Sequence, residues 1–435
     1  MKGKLILIVS LFALFAISTV WSSGGQEGSA ASQAQSQGPA KVVFYLWEDP
    51  AFHQLVDTFN AQQKEVVADP QWIPSSDYEA KLTTLLAGGA QMDAYMQKTS
   101  LNQFPQYLAG YIEPLDSYIA KYNYDLNAIS AYKDQITFQG KVIAIPFRGA
   151  KYNIYYNKKV FEQAGVPTPD TYVQKGEWTW DKYMEVAKKI ASGDGKVWGS
   201  NQYIWGGMQV IPAIQRGKKF ITDDGKLDVD SSVLYSFKMR KQMEEDKSIM
   251  SMSQIMATRT HYSQVFFAGN CAMLISGDWF PSYLAKGRDD GLLKGFTWND
   301  WAITRLPCNE PTYAIMGEET GSHVHAASKQ KDAAFKLISW LGGPEGAKLI
   351  AKLGYVPPMI NDEIKANMTL IPDAKSLMYY TETVKVYPTF FNKYGAKINA
   401  AMVDMMQEYL ANNVSDADFN ARLKTTLEQI VKTTD

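Results

Sequence analysis

The sequence predicts an α/β protein built as two lobes, and three observations carry that expectation. The chain has 435 residues, more than one hydrophobic core ordinarily organises, so a division into two bodies is expected. A composition of 46% hydrophobic and 20% charged residues belongs to a globular chain and not to a disordered one. Apolar runs of strand length alternate with segments whose apolar residues recur at helical spacing. That is the pattern of a mainly parallel sheet flanked by helices.

Lys2 and Lys4 precede an apolar run over residues 5–20, and the small residues Ser22, Ser23 and Gly24 follow. Residues 1–22 therefore read as a Sec-type export signal, because the run is short for a membrane span and no second long run follows. Cleavage near Ser22 is expected, with retention as an anchor the alternative. No Cys follows the run, which excludes a bacterial lipid-modified Cys there. The expected location is periplasmic or otherwise extracytoplasmic. Residues 23–40, rich in Gly, Ser, Gln and Ala, read as a flexible tether.

Folded structure is expected from residues 41–47, an apolar strand. A helix follows with Phe52, Leu55, Val56 and Phe59 on one face. Ser76 and Glu79 have the spacing of a capping box, opening a helix that buries Leu82, Leu85 and Leu86 and stops at Gly88 and Gly89. Residues 142–145 read as a strand. Thr179 is placed to cap a helix whose inner face is Tyr183, Val186, Ala187 and Ile190. Asp224 and Gly225 mark a hairpin within residues 220–230. Residues 271–276 and 301–306 read as strands. Ala334, Leu337, Ile338 and Leu341 line a helix closed by Gly342, Gly343 and Pro344. Two helical stripes end the chain: Ile398, Met402, Met405 and Tyr409, then Phe419, Leu423, Leu427 and Ile430 behind a Ser415 and Asp418 cap.

Several functions are excluded or disfavoured. With 44 basic and 45 acidic residues the net charge is −1, which is no electrostatic footprint for nucleic acid. The chain has no phosphate-binding Gly-Lys loop, nucleophile elbow or His-Glu-x-x-His motif. His323 and His325 would share a strand face without a third ligand at metal spacing, and read as a structural pair. Asp223, Asp224, Asp228 and Asp230 lack a calcium-loop pattern and read as a solvated hairpin. No cofactor and no metal are expected. Cys271 and Cys308 leave both a disulfide and two free thiols open. The chain has 11 Trp and 25 Tyr; part of these rings is expected in the core, and any surplus beyond core needs suits a ligand with flat apolar faces.

Residues 146–167 contain Arg148, the tetrad Tyr155, Tyr156, Asn157 and Lys158, and the turn Gly165, Val166 and Pro167. This stretch resembles the first interlobe crossing of the extracellular solute-binding proteins of ABC importers, in the sugar-binding group related to maltose-binding protein. Four further segments resemble the family in its own order. They are Gly110 with Ile112, Pro114, Leu115 and Asp116; Phe266 with Gly269, Ala272, Met273, Gly277 and Trp279; residues 317–335; and Gly354 with Tyr355, Val356 and Pro357. Met92, Asp93 and Ala94 depart from the Pro-Asp-Val usual in relatives.

The resemblance implies a type II-like periplasmic-binding-protein fold with three interlobe crossings. Lobe 1 would hold residues 41–148 and 315–357, and lobe 2 residues 149–314 and 358–435. It implies a carbohydrate held in the cleft, hinge closure on binding, membrane permease subunits as partners, and no catalysis. A monomer is expected. Trp279 matches the family's cleft tryptophan, with a core ring as the alternative, and Asp278 beside it could accept sugar hydroxyls. Trp47 and Glu48 end the first strand at the cleft edge. Arg148 and Tyr152 lie in the first crossing. Trp205 and Gly206 fall in a cleft-lining loop, and Gly317 and Glu318 in the return crossing. Arg148 and Lys151 also motivate an anionic ligand, a sugar acid or polyol phosphate. A secreted glycoside hydrolase is the rival from another class, although Glu318 and adjacent Glu319 are poorly placed to flank one bond.

Overall fold

The computed structural model describes residues 38–434. The expected export signal and residues 23–37 of the expected tether lie outside the described residues. Thirteen strands are described. In chain order they are β1 (Ala40–Trp47), β2 (Val66–Ile73), β3 (Ala94–Gln97), β4 (Thr137–Phe138), β5 (Lys141–Val142), β6 (Ile145–Lys151) and β7 (Asn153–Asn157). The rest are β8 (Phe220–Ile221), β9 (Leu227–Asp228), β10 (Met273–Ser276), β11 (Trp301–Thr304), β12 (Ala314–Val324) and β13 (Lys385–Tyr387).

Two main sheets result, as the α/β expectation requires. The larger has the order β13-β12-β3-β1-β2, with β6 also paired to β12. Around β1 it is parallel, as predicted: Ala40 to Trp47 run in register with Val66 to Ile73 of β2, and β3 lies parallel on the other side. The smaller sheet, β10-β7-β11, is antiparallel throughout. This corrects the expectation of a mainly parallel sheet for that lobe. Strand β7 enters almost directly from β6 with no intervening helix, so it arrives running against both neighbours.

Each sheet organises its own core. Val42, Phe44, Leu46, Phe52, Leu55, Phe147, Phe335 and Ile338 belong to one buried cluster. Ile154, Tyr156, Trp180, Tyr183, Ile211, Phe237, Ile398, Met402 and Leu427 belong to a second. A third, with Tyr155, Phe266, Phe280, Trp301, Val356 and Tyr380, covers the other face of the small sheet. Thus β7 buries Ile154 and Tyr156 on one side and Tyr155 on the other, as strand alternation demands. The fold is the two-lobed α/β architecture that the sequence predicts.

Local signals behave unevenly. Thr179 caps its helix by accepting from Lys182 N at 3.2 Å, and Ser415 accepts from Asp418 N at 3.1 Å. The Ser76 and Glu79 capping box does not form. The helix Tyr78–Ala87 starts without a side-chain cap, because Glu79 turns inward to accept from Lys98 N and Asn102 Nδ2. Residues 142–145 are not one strand: Val142 pairs back in a hairpin with β4, and the chain re-enters the sheet at Ile145. Cys271 and Cys308 are free thiols. Cys271 donates to Met273 O, and burial pushes its thiol up to about 12.

Three segments pass between the sheets. The first is β6 running through Tyr152 into β7, and the second is the long strand β12. These pair antiparallel from Gly317 opposite Lys151 to Ser322 opposite Ile145, with a register irregularity between Thr320 and Gly321. The third follows the helix Pro344–Lys352, and Gly149 N of β6 donates to its Val356 O at 2.9 Å. Tyr380 closes this region: its hydroxyl lies 2.6 Å from Asp278 O and 2.8 Å from Gly354 O, sharing one proton between two carbonyls. Tyr380→Phe removes that buried donor and should lower the unfolding free energy by about 1 kcal/mol, read from urea denaturation.

Candidate ligand-binding cleft

The first two crossings border a cavity of about 720 Å³, within the roughly 300–1,000 Å³ typical of small-molecule sites. Its walls come from the ends of strands. Trp47 ends β1, Asp49 caps the helix that follows it, Ser75 and Ser76 follow β2, Lys98 and Thr99 follow β3, and Trp279 follows β10. Side chains leaving the C-terminal edge of a sheet converge on the crevice beside it.

One wall is aromatic. Trp279 stands edge-on to Tyr152 and Trp205, with ring centroids 5.5 and 5.8 Å apart, and donates from Nε1 to the Tyr262 hydroxyl at 2.6 Å. Trp205 also meets Tyr203 at 5.0 Å and Tyr262 at 5.5 Å, and Tyr283 stacks beside Tyr262. At 36% exposure Trp205 is open for so large a ring. Gly277 makes the arrangement sterically allowed, because a Cβ there would lie 2.1 Å from Cζ3 of Trp279. Gly206 has a similar role behind the loop: a Cβ would sit 2.1 Å from Asn399 O.

The facing wall is polar and charged. Lys98 Nζ donates to Ser75 O and, at 2.7 Å, to Ser75 Oγ. Burial holds its ammonium down to about 8, against a partial opposite pull from Glu79. Arg148 donates from Nε to Thr320 Oγ1 at 2.9 Å, and Thr320 Oγ1 donates in turn to Lys98 O at 3.3 Å. Asp49 accepts from Ala51 N and from the Tyr355 hydroxyl, each at 3.0 Å. Desolvation raises the carboxyls of both Asp49 and Glu79. Burial lowers the imidazole of His261, which packs 4.0 Å from the Tyr262 ring.

Of the expected site residues, Trp47, Arg148, Tyr152, Trp205 and Trp279 line this cavity. Trp47 does so from the edge of the core, packed on Phe52 and Tyr78. Glu48 does not line it; just beyond the end of β1 its side chain turns outward to His53, at 2.6 Å, and Asp49, which caps the next helix, is the carboxylate on the cavity. Asp278 is fully buried beneath the surface, accepting from Val356 N at 3.0 Å, so it ties the third crossing instead of facing a guest. Gly206 lies behind the lining residue Gly207. Gly317 and Glu318 sit in the β12 ladder opposite Lys151 and Ala150, and Met316 before them lines the cavity. Lys151 is buried away from it, donating to Glu382 O.

Sequence reasoning missed Lys98, Glu79, Tyr203, His261, Tyr262 and Tyr283. Lys98 directly follows a strand, and that position was its one usable signal. The others are brought to the cavity by packing between helices and loops far apart in the chain.

Residues 47–348 match the family described as bacterial extracellular solute-binding protein. The chain belongs to this family. It is 22% identical over 318 residues to the lactose-binding protein of Rhizobium radiobacter, an alignment covering 69% of each chain. Among solved structures, a sugar transporter from Rhizobium etli in an open conformation superposes with a TM-score of 0.74 at 25% identity, covering 91% of this chain and 100% of that one. An ABC substrate-binding protein from Listeria monocytogenes, in complex with cycloalternan, gives 0.73 at 24% identity, covering 91% and 99%. The two-lobed architecture is the one these receptors share.

Lys98 supplies a ligand-free prediction. Its folded pKa of about 8 lies below the ordinary 10.5, so between those values the unfolded chain binds more protons. The contribution of Lys98 to stability should therefore rise with pH through that window. The check is the stability difference between wild type and Lys98→Met, which should shift in favour of wild type as pH rises from 8 to 10.5.

Proposed function

We propose that this protein is the substrate-binding component of an ABC importer, exported across the membrane, capturing a carbohydrate between its lobes and delivering it to the permease. The observation that carries the reading is the pairing of unlike walls. Trp205, Trp279 and their tyrosine neighbours offer flat faces for the C–H side of a pyranose. The opposite wall offers carboxylates, an ammonium and a guanidinium for its hydroxyls. A guest touching both walls favours the closed arrangement by its differential contacts. In this reading residues 41–148 and 315–357 move as one lobe against 149–314 and 358–435. The sugar ligands of the lactose-binding and cycloalternan-bound relatives support the ligand class. Both are described as binding proteins, which supports binding without catalysis.

A thermal-shift panel of mono-, di- and oligosaccharides tests this. A ligand at a hundred times its Kd adds about 2.7 kcal/mol of stability, and small-angle scattering with that ligand should report a more compact particle. Trp205→Ala should weaken binding by about tenfold or more, roughly 1.4 kcal/mol, with little change in the ligand-free melting temperature. Gly277→Ala should impair binding as well, by displacing Trp279. Release of reducing sugar from the panel would favour a hydrolase instead, and the absence of any shift across the panel would overturn the reading.

A further inference from the structure

We propose that the saccharide taken by this cleft carries an anionic group, a carboxylate or a phosphate, seated between Arg148 and Lys98. The inference rests on the carbohydrate reading above and narrows it. Both cations flank the same ring: Lys98 Nζ lies 5.4 Å and Arg148 Cζ 5.8 Å from the Trp47 centroid. Thr320 couples them, accepting from Arg148 and donating to the Lys98 carbonyl.

Neither cation is ion-paired among the described residues. The Lys98 ammonium spends its hydrogen bonds on the neutral oxygens of Ser75. Arg148 uses Nε on Thr320, leaving its terminal nitrogens without a hydrogen-bonded acceptor among the described residues. The two carboxylates on the same wall are engaged elsewhere. Asp49 accepts from Ala51 N and Tyr355, and Glu79 from Lys98 N and Asn102.

Other shielded guanidinium groups of this protein are matched. Arg240 pairs with Glu244 at 2.9 Å, and Arg305 with Glu382 at 2.5 Å. Glu79 and Asp49 act on Lys98, and Asp278 and Asp49 on Arg148, without a direct ion pair, so an anionic group of a ligand can supply the direct contact that these partly desolvated cations lack. The depressed ammonium of Lys98 reflects that desolvation. The position also suits a sugar. Arg148 Cζ lies 5.6 Å from the Trp279 centroid, so an acidic group on the rim of a stacked pyranose reaches the guanidinium, which favours planar two-point contacts. Lys98 takes the place that the sequence suggested for Lys151.

Matched pairs decide the matter by calorimetry: galacturonate and digalacturonate against galactose and lactose, and glucose 6-phosphate against glucose, with acetate and inorganic phosphate as free anions. An acidic sugar is expected to bind about tenfold or more tighter than its neutral partner, with the advantage shrinking from about 50 to about 500 mM salt. Lys98→Met should reduce that advantage and Arg148→Gln should erase it, each in protein whose melting transition is retained. Should Arg148→Gln fail to fold, the Lys98→Met result and the salt dependence still decide. A neutral sugar binding as tightly as its acidic partner would overturn this inference and leave the carbohydrate reading standing. Acetate or phosphate binding as tightly as the acidic sugars would overturn the saccharide as the guest. Binding of no sugar in any pair would overturn the carbohydrate reading, and this inference with it.

Discussion

The antiparallel pairing of β6 with β12 is the constraint on which the rest of this molecule depends. These strands carry the chain between the sheets in opposite directions, and their ladder holds the crossings side by side. Strand β12 also pairs with β3 of one sheet through Gly321 to Val324 and with β13 through Ala314 to Met316. The third crossing is fastened to the same two-stranded ribbon by Gly149 and to the second lobe by Asp278 and Tyr380.

The ribbon also delivers chemistry. Arg148 and Thr320 face each other across it, so the residues that set the charge of the cleft are members of the connection itself. A movement of the ribbon and a change in the contacts of Arg148 are therefore physically linked. The aromatic wall is built by different means. Its rings are wedged against one another at edge-on angles, and Gly277 provides the space that lets Trp279 fold back over its own strand end.

Much of the fold was legible because it rests on short-range patterns. Strand β1 with its helix, the Thr179 and Ser415 caps and the Asp224 hairpin each follow from residues within a few positions of one another. The misreadings have a common cause. Glu79 has the spacing of a cap, yet Lys98 N and Asn102, about twenty residues later in the chain, offered it donors. Asp278 neighbours a cleft tryptophan, yet Val356 N of a remote crossing claimed its carboxylate. In the site, Trp47, Arg148, Tyr152, Trp205 and Trp279 were readable from strand ends and motif position, whereas Tyr203, Tyr262 and Tyr283 were not.

The order of residues was enough to predict two α/β lobes, since hydrophobic period and turn chemistry act locally along the chain, and the crossing segments were legible through the motifs that resemble the family. It could not say which polar groups meet. Whether Glu48 or Asp49 faces the cavity depends on how the chain leaves β1 for the next helix, where Asp49 caps the helix and accepts from the remote Tyr355. That Lys98 and not Lys151 joins Arg148 depends on Thr320, 172 positions from Arg148 in sequence, which bridges Arg148 to Lys98, while Lys151 is drawn to Glu382 O. Hydrogen-bond partners far apart in sequence are selected by packing, and packing belongs to the folded chain alone.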